Sequence, residues 1–84
     1  MNELELLKKQ IKYRSSYRGT KEMDILLTSF VNSTIDNLDY LDLLKLDKFL
    51  NCNDEDIYNF YSNNNPLLSF NDSKILSLFK NFKI

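Results

Sequence analysis

Glycine and proline occur once each in this 84-residue chain, as Gly19 and Pro66. A β-sandwich or small barrel turns about every 8–12 residues, and those turns draw on glycine and proline for their backbone angles. One of each cannot supply them. The chain repeats a helical period instead. From Lys21 to Thr34 the apolar residues Met23, Leu26, Leu27, Phe30 and Val31 fall at i, i+3, i+4, i+7 and i+8, one face of an amphipathic helix. Gly19 is the expected N-cap, with Glu22 at N3 as half of a capping box. Asp24 lies in the same first turn, where the helix dipole favours a carboxylate.

Four further helices follow from the same pattern. Glu3 to Arg14 carries Leu4, Leu7 and Ile11, with Tyr13 at its end, against a wet side of lysines. Ser15 and Ser16 weaken it, and Gly19 marks the break. Tyr40 to Leu50 is capped by Asp39 and turns Leu43, Leu46, Phe49 and Leu50 inward. Glu55 to Ser62 takes Asp54 as its cap and buries Ile57, Phe60 and Tyr61. The run Asn63-Asn64-Asn65-Pro66 stops it, because asparagine tolerates the left-handed position after a helix and proline cannot continue one. A last helix from Asp72 buries Ile75, Leu76, Phe79 and Phe82. Phe30, Phe49, Phe60 and Phe79 are expected in the core. The predicted fold class is all-α, a compact single-domain bundle of five short helices over residues 1–84.

A chain of this size has room for one core and one surface function. Histidine is absent, which removes the imidazole base and the His-ligated metal. One cysteine, Cys52, allows neither an internal disulfide nor a multi-cysteine zinc site. Without a histidine to activate it, Cys52 reads as a turn or half-buried residue and not as a nucleophile. A single glycine makes no phosphate-binding loop. Asp54-Glu55-Asp56 lacks the glycine and the distal glutamate of a calcium loop and reads as the charged start of a helix. No catalytic, cofactor-binding or metal site is therefore expected, and the chain does not read as an enzyme.

Charge points to a protein partner. Residues 1–21 carry +4, residues 22–60 carry −7 and residues 61–84 carry +2, for a net −1. An acidic middle repels phosphates, so nucleic acid is not an expected partner. The longest apolar run is Ile25-Leu26-Leu27, so no membrane insertion is expected. The N-terminus lacks a basic region followed by an apolar one. A soluble, monomeric, cytoplasmic protein is the expectation. Within it, Tyr13 and Tyr17 flank Arg14 and Arg18, the two arginines of the chain, just before Gly19. Tyrosine and arginine are the residue types enriched at interface hot spots. A helix end with two i, i+4 neighbours is the plainer reading of the same residues.

Residues 17–24 read Tyr-Arg-Gly-Thr-Lys-Glu-Met-Asp. They resemble the Arg-Gly-x-x-Glu-x-Asp signature of the SdhE family, small assembly factors for the flavoprotein subunit of succinate dehydrogenase. Arg18, Gly19, Glu22 and Asp24 all match. The stretch from Phe49 to Phe60 is similar to that family's second block, Leu-Leu-x-x-x-Asp-x-Asp-Leu-x-x-Trp, with Phe60 in place of the tryptophan. Tyr17 stands where the family usually has a basic residue, and Thr20 where it has Met or Leu. The resemblance implies a protein that binds the flavoprotein subunit, or the related fumarate reductase subunit, and promotes covalent attachment of FAD to it. It implies that the bond-forming chemistry belongs to the flavin and the target. Partner contacts are then expected at Arg18, Gly19 and Glu22, with Asp24, Tyr17 and Arg14 beside them. In physical terms, Arg18 offers a planar fork for a carboxylate or a carbonyl, and Gly19 lets another backbone approach closely. The alternative class is a regulatory protein-binding module such as an antitoxin.

Overall fold

Each helix of the computed structural model, which describes residues 2–83, begins at a side chain that takes over an orphan backbone N–H. The helices are α1 Glu3–Ser15, α2 Lys21–Thr34, α3 Tyr40–Phe49, α4 Asp54–Asn63 and α5 Ser73–Asn81, with a 3-10 turn at Ile35–Asn37. No strand occurs among the described residues. Positions 1 and 84 of the expected domain lie outside them. Asn2, Thr20, Asp39, Asn53 and Asp72 are the N-caps, accepting from the third helical N–H at 2.8, 3.1, 2.8, 2.9 and 3.0 Å. Five caps of this kind contribute about 1 kcal/mol each, a large share of the stability of so small a domain.

Two expected caps are corrected here. Thr20, not Gly19, caps α2, which moves Glu22 from N3 to N2 and leaves no capping box. Asn53, not Asp54, caps α4, so Asp54 is the first helical residue and its carboxylate is free for another task. In both places two adjacent residues have cap-forming propensity, and the contact between Gly19 and Asp54 decides which one caps. Asparagine also ends α4: Asn64 adopts φ 59°, and its neighbour Asn65 donates N–H to the Asn59 carbonyl.

The core is an aromatic cluster with Phe30 near its centre. Its ring meets Phe79, Phe82 and Phe49 edge-on at 5.0, 5.6 and 6.4 Å between centroids. Phe49 in turn meets Phe79 and Phe70. Aliphatic residues from every helix complete it, including Ile11, Leu27, Leu43, Leu46, Ile57 and Ile75. Two expectations shift, and one stretch about which none was formed joins the core. Phe60 is half-buried, stacked on Phe79 with the Lys80 ammonium over its ring. Leu4 and Tyr13 face water. The connection between α4 and α5 is not a passive loop, since Leu67 and Phe70 enter the core from it.

Polar side chains lock the helices in register around this core. Lys80 of α5 donates to the carbonyls of Phe60 and Tyr61 at the end of α4, at 2.8 and 2.9 Å. Lys74 pairs with the buried Asp42 at 2.6 Å, which raises the lysine above its ordinary value through that bond and charge. Gln10 and Arg14 of α1 both reach Asp47 of α3. No described helix is long and apolar enough to cross a membrane.

Candidate functional site

The joint between α1 and α2 folds as it does because Ser15 and Ser16 end the first helix with their own side chains. Ser15 Oγ donates to the Lys12 carbonyl at 2.8 Å, and Ser16 Oγ donates to the Tyr13 carbonyl at 2.9 Å. The chain then reverses at Tyr17, with φ 57°. A left-handed conformation is rare for a bulky residue and costs about 1–2 kcal/mol. Gly19, the expected break, has no positive φ. The reversal throws the Tyr17 ring out to 82% exposure, tilted against Tyr13 at 5.7 Å between centroids. It also turns the next side chain, Arg18, inward.

Arg18 is the fastener of this corner. Its Nε and Nη2 converge on Asp54 Oδ1, each at 2.7 Å. Its Nη1 donates to the carbonyls of Arg14 and Leu50, both at 2.9 Å, and Nη2 donates to that of Cys52 at 3.1 Å. Four of the guanidinium's five N–H groups are thereby hydrogen-bonded, and the second approach to Asp54 adds charge pairing. The side chain is 11% exposed and that of Asp54 is 24% exposed. The planar fork does meet a carboxylate and carbonyls, as its chemistry requires, but they belong to its own chain. Asp54 Oδ2 remains, and it accepts the Gly19 N–H at 2.7 Å. A Cβ at position 19 would stand 3.1 Å from that oxygen. The glycine is thus explained by close approach rather than by backbone angle.

Gly19 and Asp54 form a ridge between two open hollows. The first, about 470 Å³, is bounded by Thr20, Glu22 and Met23 on one side and by Glu55 and Tyr58 on the other. The second, about 460 Å³, is lined by Tyr13, Arg14 and Tyr17 with Asn53. Since Arg18 and Asp54 neutralise each other, the ridge itself is uncharged. One flank is acidic with an apolar floor, and the other is aromatic, with Arg14 there paired to Asp47. Such an arrangement can bind a shaped, charge-complementary surface.

Five of the six residues singled out in the sequence line these hollows. Gly19 and Glu22 are exposed there. Tyr17, Arg18 and Arg14 line the second hollow, with Arg14 also bonded to Asn51 and 3.1 Å from Asp47 Oδ1. Asp24 borders neither; its Oδ1 lies 3.3 Å from Thr28 Oγ1 within α2. Asp54, Glu55 and Tyr58 were not expected at the site. The spacing 54, 55, 58 puts them on one face of α4, but nothing local in the sequence says that this face meets a glycine 35 residues earlier. Cys52 is buried in the turn, with Ser69 Oγ 3.4 Å from its sulfur.

Residues 9–83 match the family described as flavinator of succinate dehydrogenase. A mitochondrial succinate dehydrogenase assembly factor 2-A of Drosophila mojavensis is 33% identical over 79 residues, which is 92% of this chain and 50% of the relative. A mitochondrial succinate dehydrogenase assembly factor 2 of Penicillium rubens is 34% identical over 64 residues, 76% of this chain and 21% of the relative. The chain therefore spans half or less of the length of these curated relatives. No solved structure matches it. Neither the family nor these relatives support the antitoxin alternative.

Proposed function

The chain belongs to the family of flavinators of succinate dehydrogenase, and on that premise we propose that it binds the dehydrogenase flavoprotein subunit and promotes covalent attachment of FAD there. The observation that carries the reading is the Gly19 ridge. It is exposed, uncharged, held by four internal bonds to Asp54 and its neighbours, and flanked by side chains that the fold leaves in water. The docking surface comprises Gly19, Glu22, Tyr17 and Arg14. Arg18 acts on it from within, while Asp24 lies off it, accepting from Thr28 inside α2.

The contribution to the reaction is positional. A rigid helical body docked on the subunit favours the conformer in which the flavin and its acceptor side chain are at attack distance. Selecting one conformer by a factor of ten needs about 1.4 kcal/mol of differential binding and no base in the bound protein. The protein works as a monomer in the cytoplasm, where a lone thiol stays reduced. Co-expression with the flavoprotein subunit from the same source tests the reading. Covalent flavin in the denatured subunit should rise several-fold over the subunit expressed alone, and an unchanged flavin content would overturn it.

A further inference from the structure

We propose that Asp54, a residue of α4 outside the Arg-Gly-x-x-Glu-x-Asp signature, is the positioning residue of the docking surface, setting the Gly19 backbone by holding Arg18 and Gly19 with its two carboxylate oxygens. This rests on the docking function proposed above. Oδ1 takes Nε and Nη2 of Arg18 and Oδ2 takes the Gly19 N–H, all at 2.7 Å. Charge-assisted bonds of this length are the strong ones. Nothing else fixes the Gly19 amide, which is exposed and lies outside any helix. Two residues before it, Tyr17 sits at φ 57° without the glycine that would make the angle free. Arg18 is tied to the carbonyls of Arg14, Leu50 and Cys52 as well, but the exposed Gly19 after it has Asp54 alone to hold its amide.

The carboxylate also sets charge. Paired with Arg18 it leaves the ridge neutral between the acidic flank of Glu22 and Glu55 and the aromatic flank of Tyr13 and Tyr17, where Arg14 is itself paired with Asp47. Remove it, and Arg18 gains an uncompensated positive charge directly under Gly19. The docked backbone then meets a ridge of altered shape and altered sign. Asp54 takes no part in the reaction in this scheme; it acts on the docking surface through the two residues that it grips.

The single glycine makes the test clean. Labelling with 15N-glycine yields one backbone amide signal, and that signal is the amide bonded to Asp54. Three variants are compared with the wild type: Asp54→Ala removes both bonds, Asp54→Asn keeps one neutral acceptor, and Asp54→Glu restores the charge on a longer stem. Each is measured for the Gly19 amide shift and hydrogen-exchange rate, for melting temperature, and for affinity to the purified flavoprotein subunit well below the melt. The expected result is an exposed, fast-exchanging Gly19 amide in Asp54→Ala with affinity at least tenfold weaker, an intermediate Asp54→Asn, and partial recovery of both readouts in Asp54→Glu. A cap-like, purely structural role would lower melting while the folded protein keeps wild-type affinity, and that outcome overturns the proposal. So does an unmoved Gly19 amide in Asp54→Ala. Failure of the wild type to bind the subunit refutes the docking function itself, in the first arm and before any variant is compared.

Discussion

Substituting Gly19 separates docking from folding, because the structure fixes what a side chain there costs. A Cβ would meet Asp54 Oδ2 at 3.1 Å, so the carboxylate has to retreat by a few tenths of an ångström. Its bond from the Gly19 N–H then stretches from 2.7 Å to about 3.0 Å, still within the ordinary range. A whole bond to a charged group contributes about 1.5–3 kcal/mol, and so small a stretch forfeits on the order of 1 kcal/mol. Against this, alanine stiffens the unfolded chain by about 0.4–1 kcal/mol, and with no positive φ at 19 no backbone strain offsets the gain. Gly19→Ala should thus melt within about 1 kcal/mol of the wild type, a shift of up to about 8 °C for a domain of this size. Gly19→Arg adds the same Cβ, and the rest of its stem extends into water from an exposed residue, so its melt should resemble that of alanine. Binding should not. A long side chain on the ridge holds the partner off, with a loss of about 2 kcal/mol or more, roughly thirty-fold in affinity. Alanine should lose only a few-fold. The assay is thermal melting paired with affinity for the flavoprotein subunit at a temperature well below each melt. Equal affinity of the arginine variant and the wild type would refute the docked ridge. A collapse of the arginine melt far beyond that of alanine would refute the geometric argument.

Glu22→Ala removes an exposed carboxylate at the rim of the first hollow; melting should change by about 0.5 kcal/mol or less, while affinity for the flavoprotein subunit falls. Phe49→Ala empties the centre of the aromatic core and should cost about 3–5 kcal/mol, enough to unfold the domain, whereas the half-buried Phe60 should cost clearly less, as judged by urea titration. The Asp72 carboxyl is held below its ordinary value of 3.8 by the Ile75 N–H first and by Lys45 second, so its contribution is present above about pH 4 and lost as pH falls through the lowered folded value; Asp72→Asn, which keeps an acceptor for Ile75, should flatten melting temperature against pH between 5 and 2. Cys52→Ser should leave covalent flavin in the co-expressed subunit unchanged, since the thiol is buried beside Ser69, and a large loss with the fold intact would reveal an overlooked redox or nucleophilic role.

Helix existence was legible because each helix announces itself locally. The stripe from Met23 to Val31 and the cap Asp39 rely on residues three or four apart, and the structure uses them as read; Asp72, read as the start of the last helix, is its cap. What was not legible depends on distance. Whether Thr20 or Gly19 caps α2, and whether Asn53 or Asp54 caps α4, is decided by the bond between Gly19 and Asp54 across 35 residues. With Asp54 turned toward Arg18, Asn53 is left to cap. With the Gly19 N–H turned toward Asp54, Thr20 takes the end of α2. One long-range contact therefore moved both caps by one residue. Leu67 and Phe70 were missed for a related reason: a nine-residue connection has no period to betray its buried positions.

The same contact changes how the signature residues divide their work. Arg18 and Glu22 stand four apart in one short motif and read as equals, two charged side chains offered to a partner. The fold makes them opposites. The arginine gives its hydrogen-bonding capacity to Asp54 and to the carbonyls of Arg14, Leu50 and Cys52, joining α1, the end of α3 and the start of α4. The glutamate remains exposed at the rim of a hollow. Loss of either would abolish function in an assay of covalent flavin alone, so such an assay cannot tell them apart. Melting can. Arg18→Ala strands a partly buried carboxylate and three carbonyls, and breaking a buried pair from one side costs about 3–5 kcal/mol. With Asp54 still 24% exposed, the lower end of that range is expected, about 3 kcal/mol and a melting drop of more than about 10 °C. Arg18→Lys retains the charge but not the fork, and a single ammonium cannot span Asp54 and three carbonyls, so most of the loss should persist. If Arg18→Ala instead melts like the wild type while binding disappears, the guanidinium leaves Asp54 on docking and reaches the partner after all, and the assignment of Arg18 to the interior falls.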